Sequence, residues 1–194
     1  MSEAAHDLAK AAELPEGDVI RLLLEQHARI RNLFATVKSA TDEQHKADSF
    51  DELRALLAVH ETAEEMVLRP ASRRSAGAQV AEARNEEEAE ANEVLAKLEK
   101  LDIGSADFDT QFAEFEKAVD AHAEAEEHEE FPAIVSAIDE KDRKRMGTML
   151  SSAEKMAPTH PHPAAAGSTA AQFAAGPFAA MVDRTKDALH SLMK

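Results

Sequence analysis

Two segments of the chain, HETAEEMVLRP at residues 60–70 and HAEAEEHEEFP at residues 122–132, share one pattern. Each has a histidine, a pair of glutamates beginning four residues later, and a proline ten residues after the histidine. Side chains four apart on a helix project from one face about a turn from each other. Each segment therefore offers an imidazole and a carboxylate to one point, a donor mixture that suits iron, manganese or zinc. His27, in LLLEQHARIRNLF, adds a third histidine within an otherwise apolar series of Ile20, Leu23, Ile30, Phe34 and Val37, spaced by threes and fours.

The elements that must carry these residues read as helices. Of the 194 residues, 44% are hydrophobic and only 4% aromatic, and Ala, Glu, Leu and Lys dominate, which favours an all-α fold. Residues 1–17 read as a loose arm with room for a short helix, ended by Leu14-Pro15-Glu16-Gly17. Asp18 is the expected N-cap of a first bundle helix running to about Ala40. A loop at Thr41–Lys46 precedes a second helix, capped by Asp48 or Ser49. Its seam is Phe50, Leu53, Leu57, His60, Glu64 and Val67, and Pro70 and residues 72–77 should end it. A third helix spans about 78–101, with Val80, Ala91, Val94, Leu95, Leu98 and Leu101 interrupted by Glu86-Glu87-Glu88. The fourth starts near Ala106 or Asp107 with the seam Phe108, Phe112, Phe115, Val119, His122 and Glu126, and Pro132 should kink or restart the helix that follows to 156. Beyond Met156, a Pro- and Ala-rich linker leads to a short amphipathic helix at 178–193, expected to dock on the bundle or at a subunit interface. The expected organisation is thus an arm at 1–17, a bundle at 18–156 and a linker with terminal helix at 157–194.

Whether the polar seam residues meet follows from chain geometry. In an antiparallel hairpin, residues equidistant from the turn lie level, so the midpoint of two partners falls in their loop. His27 and His60 have their midpoint between Glu43 and Gln44; Glu64 and Glu88 at Ala76, beside Gly77; Glu88 and His122 at Ser105, beside Gly104. All three midpoints fall at expected turns. One level of the core therefore collects His27, His60, Glu64, Glu88, His122 and Glu126. Burying several ionised carboxylates without compensation costs several kcal/mol per ion, and bound cations remove that cost. Six protein ligands exceed what one reactive ion with an open position takes, whereas two ions bridged by Glu64 and Glu126 fit the count.

The three quoted segments together resemble the haemerythrin-like family, the HHE cation-binding domain, over residues 18–150, and the PTHPHP stretch and terminal helix are similar to the tails of its actinobacterial members. The resemblance implies an up-down four-helix bundle holding two iron ions, oxo- or hydroxo-bridged, that react with dioxygen, hydrogen peroxide or nitric oxide. It also implies that His27 is the first-helix ligand, His60 and Glu64 the second-helix pair, and His122 and Glu126 the fourth-helix pair. The third helix departs from the family pattern: Glu88 stands where relatives offer histidine, with Glu87 as the neighbouring candidate, because the apolar stripe fits either. A carboxylate there adds negative charge, which stabilises the ferric state and disfavours reversible dioxygen carriage.

The expected function is peroxide decomposition in a catalase-like cycle, or nitric oxide scavenging, in oxidative or nitrosative stress. The alternative is a dioxygen or nitric oxide sensor, or an iron store, without turnover. With no Tyr, Trp or Cys, no aromatic or thiol radical is available and the chemistry must stay on the metals. A net charge of -16 argues against nucleic acid and anionic membranes as partners. Without an apolar leader or a bilayer-length stretch, a cytoplasmic location is expected. His6, His45, His190, His160 and His162 read as surface or linker residues, with adventitious metal binding by PTHPHP as a weaker alternative, and His128 points away from the seam. Glu65, Glu127, Glu129 and Glu130 read as a solvated face or a second layer, in which Glu65 and Glu127 are placed to orient ligands or to collect iron.

Overall fold

A computed structural model describes residues 2–162 and Asp183, and within them the fold is helical throughout. Helix α1 spans Glu3–Ala12, α2 Val19–Ser39, α3 Glu43–Ser75, α4 Ala78–Leu98 and α5 Ala106–Ala125. A π-helical turn at Glu126–Glu130 joins α5 to α6, Phe131–Ala137, and α7 spans Glu140–Met156. Side-chain caps begin most of them: Asp18 accepts from the Ile20 amide at 3.0 Å, Asp42 from His45 at 2.8 Å, Ser105 from Phe108 at 3.1 Å and Asp139 from Asp142 at 2.9 Å. Gly77, at φ 103, supplies the left-handed turn into α4.

Helices α2 to α5 form an antiparallel bundle, α2 packing on α3 and α5, and α4 on α3 and α5. The apolar core is divided in two along the bundle axis. One cluster holds Ile30, Phe34, Val37, Phe50, Leu53, Leu57, Leu95, Leu98, Phe108, Phe112 and Phe115. The other holds Val19, Ile20, Leu23, Ala63, Val67, Leu68, Phe131, Ile134 and Leu150. His27 of α2, His60 of α3 and Glu126 of the π turn fall between these clusters along the chain, so the bundle carries a polar layer between two apolar ends. Each end is dry and densely packed, and such packing holds the layer between them in register.

Two elements differ from the sequence expectation. The arm is not loose: α1 lies on α2 with Ala4 and Ala11 buried, and its buried Asp7 pairs with Arg31 of α2. Helix α3 is capped by Asp42 rather than by Asp48 or Ser49, and passes through Pro70 to Ser75. Leu68, Ala71 and Ser72 on either side of the proline are buried, and this packing outweighs the hydrogen bond that Pro70 cannot give. Pro132, by contrast, reshapes its helix. It has no N–H for the His128 carbonyl, the preceding turn widens, and the Phe131 amide bonds the Glu126 carbonyl five residues back.

Helix α7 closes the second core cluster over α2 and α3. Its Arg143 donates to Asp18 at 2.7 Å, and Gly147 lies against the Gly17 carbonyl. Residues 157–162 do not run free: Pro158 and Pro161 are buried, and His160 pairs with Glu99 at 2.6 Å. The expected helix at 178–193 lies outside the described residues except for Asp183. No helix among the described residues is long and apolar enough to cross a membrane.

Candidate metal centre

The polar layer brings together all six residues of the expected set. His27, His60, Glu64 and Glu126 form one group and Glu64, Glu88, His122 and Glu126 a second, each residue offering one ligand atom and the atoms of a group lying within 4.8 Å of one another. Glu64 and Glu126 belong to both, so the groups define two adjacent positions that share two carboxylates. Glu126 divides its oxygens: Oε2 lies 3.3 Å from His27 Nε2, and Oε1 lies 3.3 Å from His122 Nε2. His60 Nε2 faces Glu64 Oε2 at 3.4 Å.

The partners of these atoms test whether a cation fits. His27 Nε2, His122 Nε2, both oxygens of Glu64, Glu88 Oε2 and Glu126 Oε2 are buried without a hydrogen-bond partner among the described residues. A buried polar atom left unpaired costs about 1–3 kcal/mol, so six in one layer are an expensive arrangement for a fold alone. Cations at the two positions satisfy imidazole nitrogens and carboxylate oxygens together, and the donor mixture suits iron. The residues fit the metal centre that the sequence resemblance implies.

Each histidine is held from behind. His60 Nδ1 donates to Gln26 Oε1 at 2.7 Å, His27 Nδ1 contacts Glu127 Oε1 at 3.1 Å, and His122 Nδ1 contacts Glu87 Oε2 at 2.8 Å. Because an amide oxygen only accepts, the proton of His60 sits on Nδ1 and the Nε2 lone pair points into the layer, as a metal ligand requires. Glu127 is itself fixed by Lys10 at 2.9 Å and Arg31 at 3.0 Å, so α1 reaches the centre through this chain of contacts. Of the two glutamates weighed in α4, Glu88 is buried among the converging donor atoms, whereas Glu87 is partly exposed and contacts His122 Nδ1.

Burial and crowding shift the titrations. Burial, then the Glu126 charge, holds Glu64 well above the usual carboxylate range, and burial lifts Glu88 to about 7. Burial alone would raise Glu126 too, but His122 and Arg69 hold it well below normal. His27 and His122 are raised: burial opposes their charge, and Glu126 with Glu127 or Glu87 overcomes it. Burial, reinforced by His27, pushes His60 down to about 3. The raised groups bind protons more readily than usual at the positions where cations would sit, and the two compete.

The structure adds residues that the sequence patterns did not flag. Arg69 of α3 is buried in the layer, with its guanidinium on Glu88, Glu126 and Glu130. Glu130, read as solvated, is buried, and Glu65 is also buried. Glu129 and His128 are exposed as expected. Glu61 is buried beside Asn92, whose amide donates to it, and burial holds its carboxyl well above the usual range. For Glu130 a signal existed, since 122, 126 and 130 continue one ladder of fours; for Arg69 the only cue was its place next to Pro70.

A cavity of about 340 Å3 joins the layer to the surface between α4 and α5. Ile30, Leu57, Ala91, Val94, Phe115 and Val119 line its walls, and His27, His60, Glu61 and His122 its floor.

A family model, that of the Hemerythrin HHE cation binding domain, matches residues 18–134. An uncharacterized hemerythrin-like protein of Schizosaccharomyces pombe is 24% identical over 168 residues, covering 85% of this chain and 83% of its own. No solved structure matches the chain. The matched stretch runs from the cap of α2 through the π turn to α6 and contains all six converging residues, and the chain belongs to the hemerythrin HHE cation-binding family.

Proposed function

We propose that the protein is a non-haem di-iron protein that decomposes hydrogen peroxide, with nitric oxide as a second reactant of the same centre. The observation that carries this reading is the pair of ligand groups sharing Glu64 and Glu126. Two iron ions so held supply a two-electron couple at one site.

The chain's own residues do the rest. Gln26, Glu127 and Glu87 fix the three imidazoles with Nε2 inward. Apolar walls at Leu57, Val94, Phe115 and Val119 admit a small neutral reactant while limiting bulk water. Disproportionation of two peroxides gives one dioxygen and two waters, with peroxide as both oxidant and reductant, so no external electron donor is needed. The two protons released by the peroxide that is oxidised are taken up by the one that is reduced. Glu61, on the cavity floor, accepts from Asn92 at Oε2, and burial holds its carboxyl well above the usual range, which suits it to hold a proton for transfer to the reactant.

Elemental analysis of untagged protein from iron-supplemented cells should give about two irons per chain, followed by sustained oxygen evolution from peroxide. Bleaching after stoichiometric peroxide would instead mark a sensor or store. Folded protein without bound metal would remove the reading altogether.

A further inference from the structure

The two cation positions are not equivalent, and the difference lies in Arg69. Its Nη2 contacts Oε1 of Glu88 and Oε1 of Glu126, and its Nε donates to the same Glu88 oxygen at 2.9 Å. These two oxygens face His122 Nε2, at 3.9 Å and 3.3 Å, and together they frame the second position. The first position has no such occupant. Its Glu126 Oε2 has no hydrogen-bond partner among the described residues, and Glu64 Oε2 is only distantly approached by Arg69, at 3.6 Å. Nη1 binds Glu130, which belongs to neither group.

We propose that Arg69 holds the charge place of the second cation, so that the His27–His60 position loads first and tightly. The Glu88–His122 position then loads only as the guanidinium gives up Glu88 and Glu126, with Glu130 retaining its other end. The inference rests on the two-metal reading of this layer. Its physical basis is that a guanidinium and a metal ion cannot share the Oε1 atoms of Glu88 and Glu126 without strong like-charge repulsion in a buried site, and that the charge-assisted contacts of Nε and Nη2 must be broken before the ion can take those oxygens. Arg69 cannot leave by losing a proton, since arginine stays charged in proteins and its carboxylate neighbours favour the charged form further. Competition is therefore by displacement.

The test is calorimetric titration of the chelator-treated full chain with Co2+. Wild type should show two steps of one ion each, separated at least tenfold in affinity. R69M, similar in length but uncharged, should tighten the second step at least tenfold, whereas R69K should keep the separation. E88Q should remove the weaker step and leave the tighter one. Two equal steps in wild type, an unchanged or weaker second step in R69M, or loss of the tighter step in E88Q would each overturn the role of Arg69 while leaving a two-metal centre standing. No Co2+ bound by wild type would sink the metal reading itself. If R69M does not fold without metal, the comparison of wild type with E88Q decides.

Discussion

Replacing His60 with leucine separates what this residue costs the fold from what it gives the centre. The imidazole is buried and neutral, and its pKa is pushed down to about 3 by burial and then by His27. In the unfolded chain it takes up a proton below its ordinary value of 6.5; in the folded chain it does not until about 3. Its contribution to stability is therefore full above pH 6.5 and is lost as pH falls towards 3. At pH 5 the loss spans about 1.5 pH units, or ~2 kcal/mol at about 1.36 kcal/mol per unit; at pH 8 it is absent. Leucine has no proton to take. Losing the bond to Gln26 costs about 1 kcal/mol at either pH and cancels in the comparison. H60L should thus gain about 2 kcal/mol relative to wild type between pH 8 and pH 5, or roughly 4–8 °C in Tm for a chain of this size. Circular dichroism melts of the two metal-free proteins at both pH values measure it, and metal analysis of separate, iron-loaded preparations should show about one ion in place of two. Equal Tm differences at both pH values would refute a neutral buried imidazole, and retention of two ions would refute its role as a ligand.

E126Q removes a carboxylate common to both groups, so it should abolish binding of both ions where H60L abolishes one; plasma emission analysis of the purified variants distinguishes them. Metal affinity should rise between pH 5 and pH 8, because Glu64, Glu88, His27 and His122 all have raised pKa values and hold protons that the metal must displace; each proton released at binding adds up to about tenfold per pH unit, and a flat affinity profile by competitive chelator titration contradicts the coupling. G147A places a Cβ onto the Gly17 carbonyl, so α7 must shift from α2; about 1–3 kcal/mol of stability should be lost in chemical unfolding, and a variant as stable as wild type would mean that α7 is not seated there.

Much of the bundle was legible because it depends on apolar spacing alone. The seams of α2, the centre of α3 and α5 became the two core clusters residue by residue, from Phe34 and Val37 to Phe108 and Phe115. The helix ends were less legible, since several residues could cap and one sequence signal had two outcomes. Pro70 and Pro132 look alike in sequence. The first is absorbed in a helix whose flanking Leu68 and Ala71 are buried; the second opens a π turn. Which happens depends on the neighbours that pack around the proline, and those come from elsewhere in the chain. The docking of α1 was hidden for the same reason: Asp7 is buried only because Arg31, 24 residues away, pairs with it.

The convergence of the six residues was legible in sequence because level in an antiparallel bundle follows from counting, and the midpoint rule needs no side-chain detail. What it could not supply was the charge balance of the layer. A run such as Glu126-Glu127-His128-Glu129-Glu130 reads as solvated, because nothing local says which of its members will find a cation. The π turn brings Glu126 and Glu130 to one buried side while His128 and Glu129 stay exposed, and Arg69 arrives from α3 to meet both. The same helix thus delivers the carboxylate Glu64 and the cation Arg69, five residues apart, to one layer. The buried guanidinium lies among four carboxylates and binds only some of their oxygens. Of the oxygens left without a hydrogen-bond partner among the described residues, Glu126 Oε2 lies 3.3 Å from His27 Nε2 and Glu64 Oε2 lies 3.4 Å from His60 Nε2, so acceptors gather at the position where two imidazoles can complete a cation's coordination.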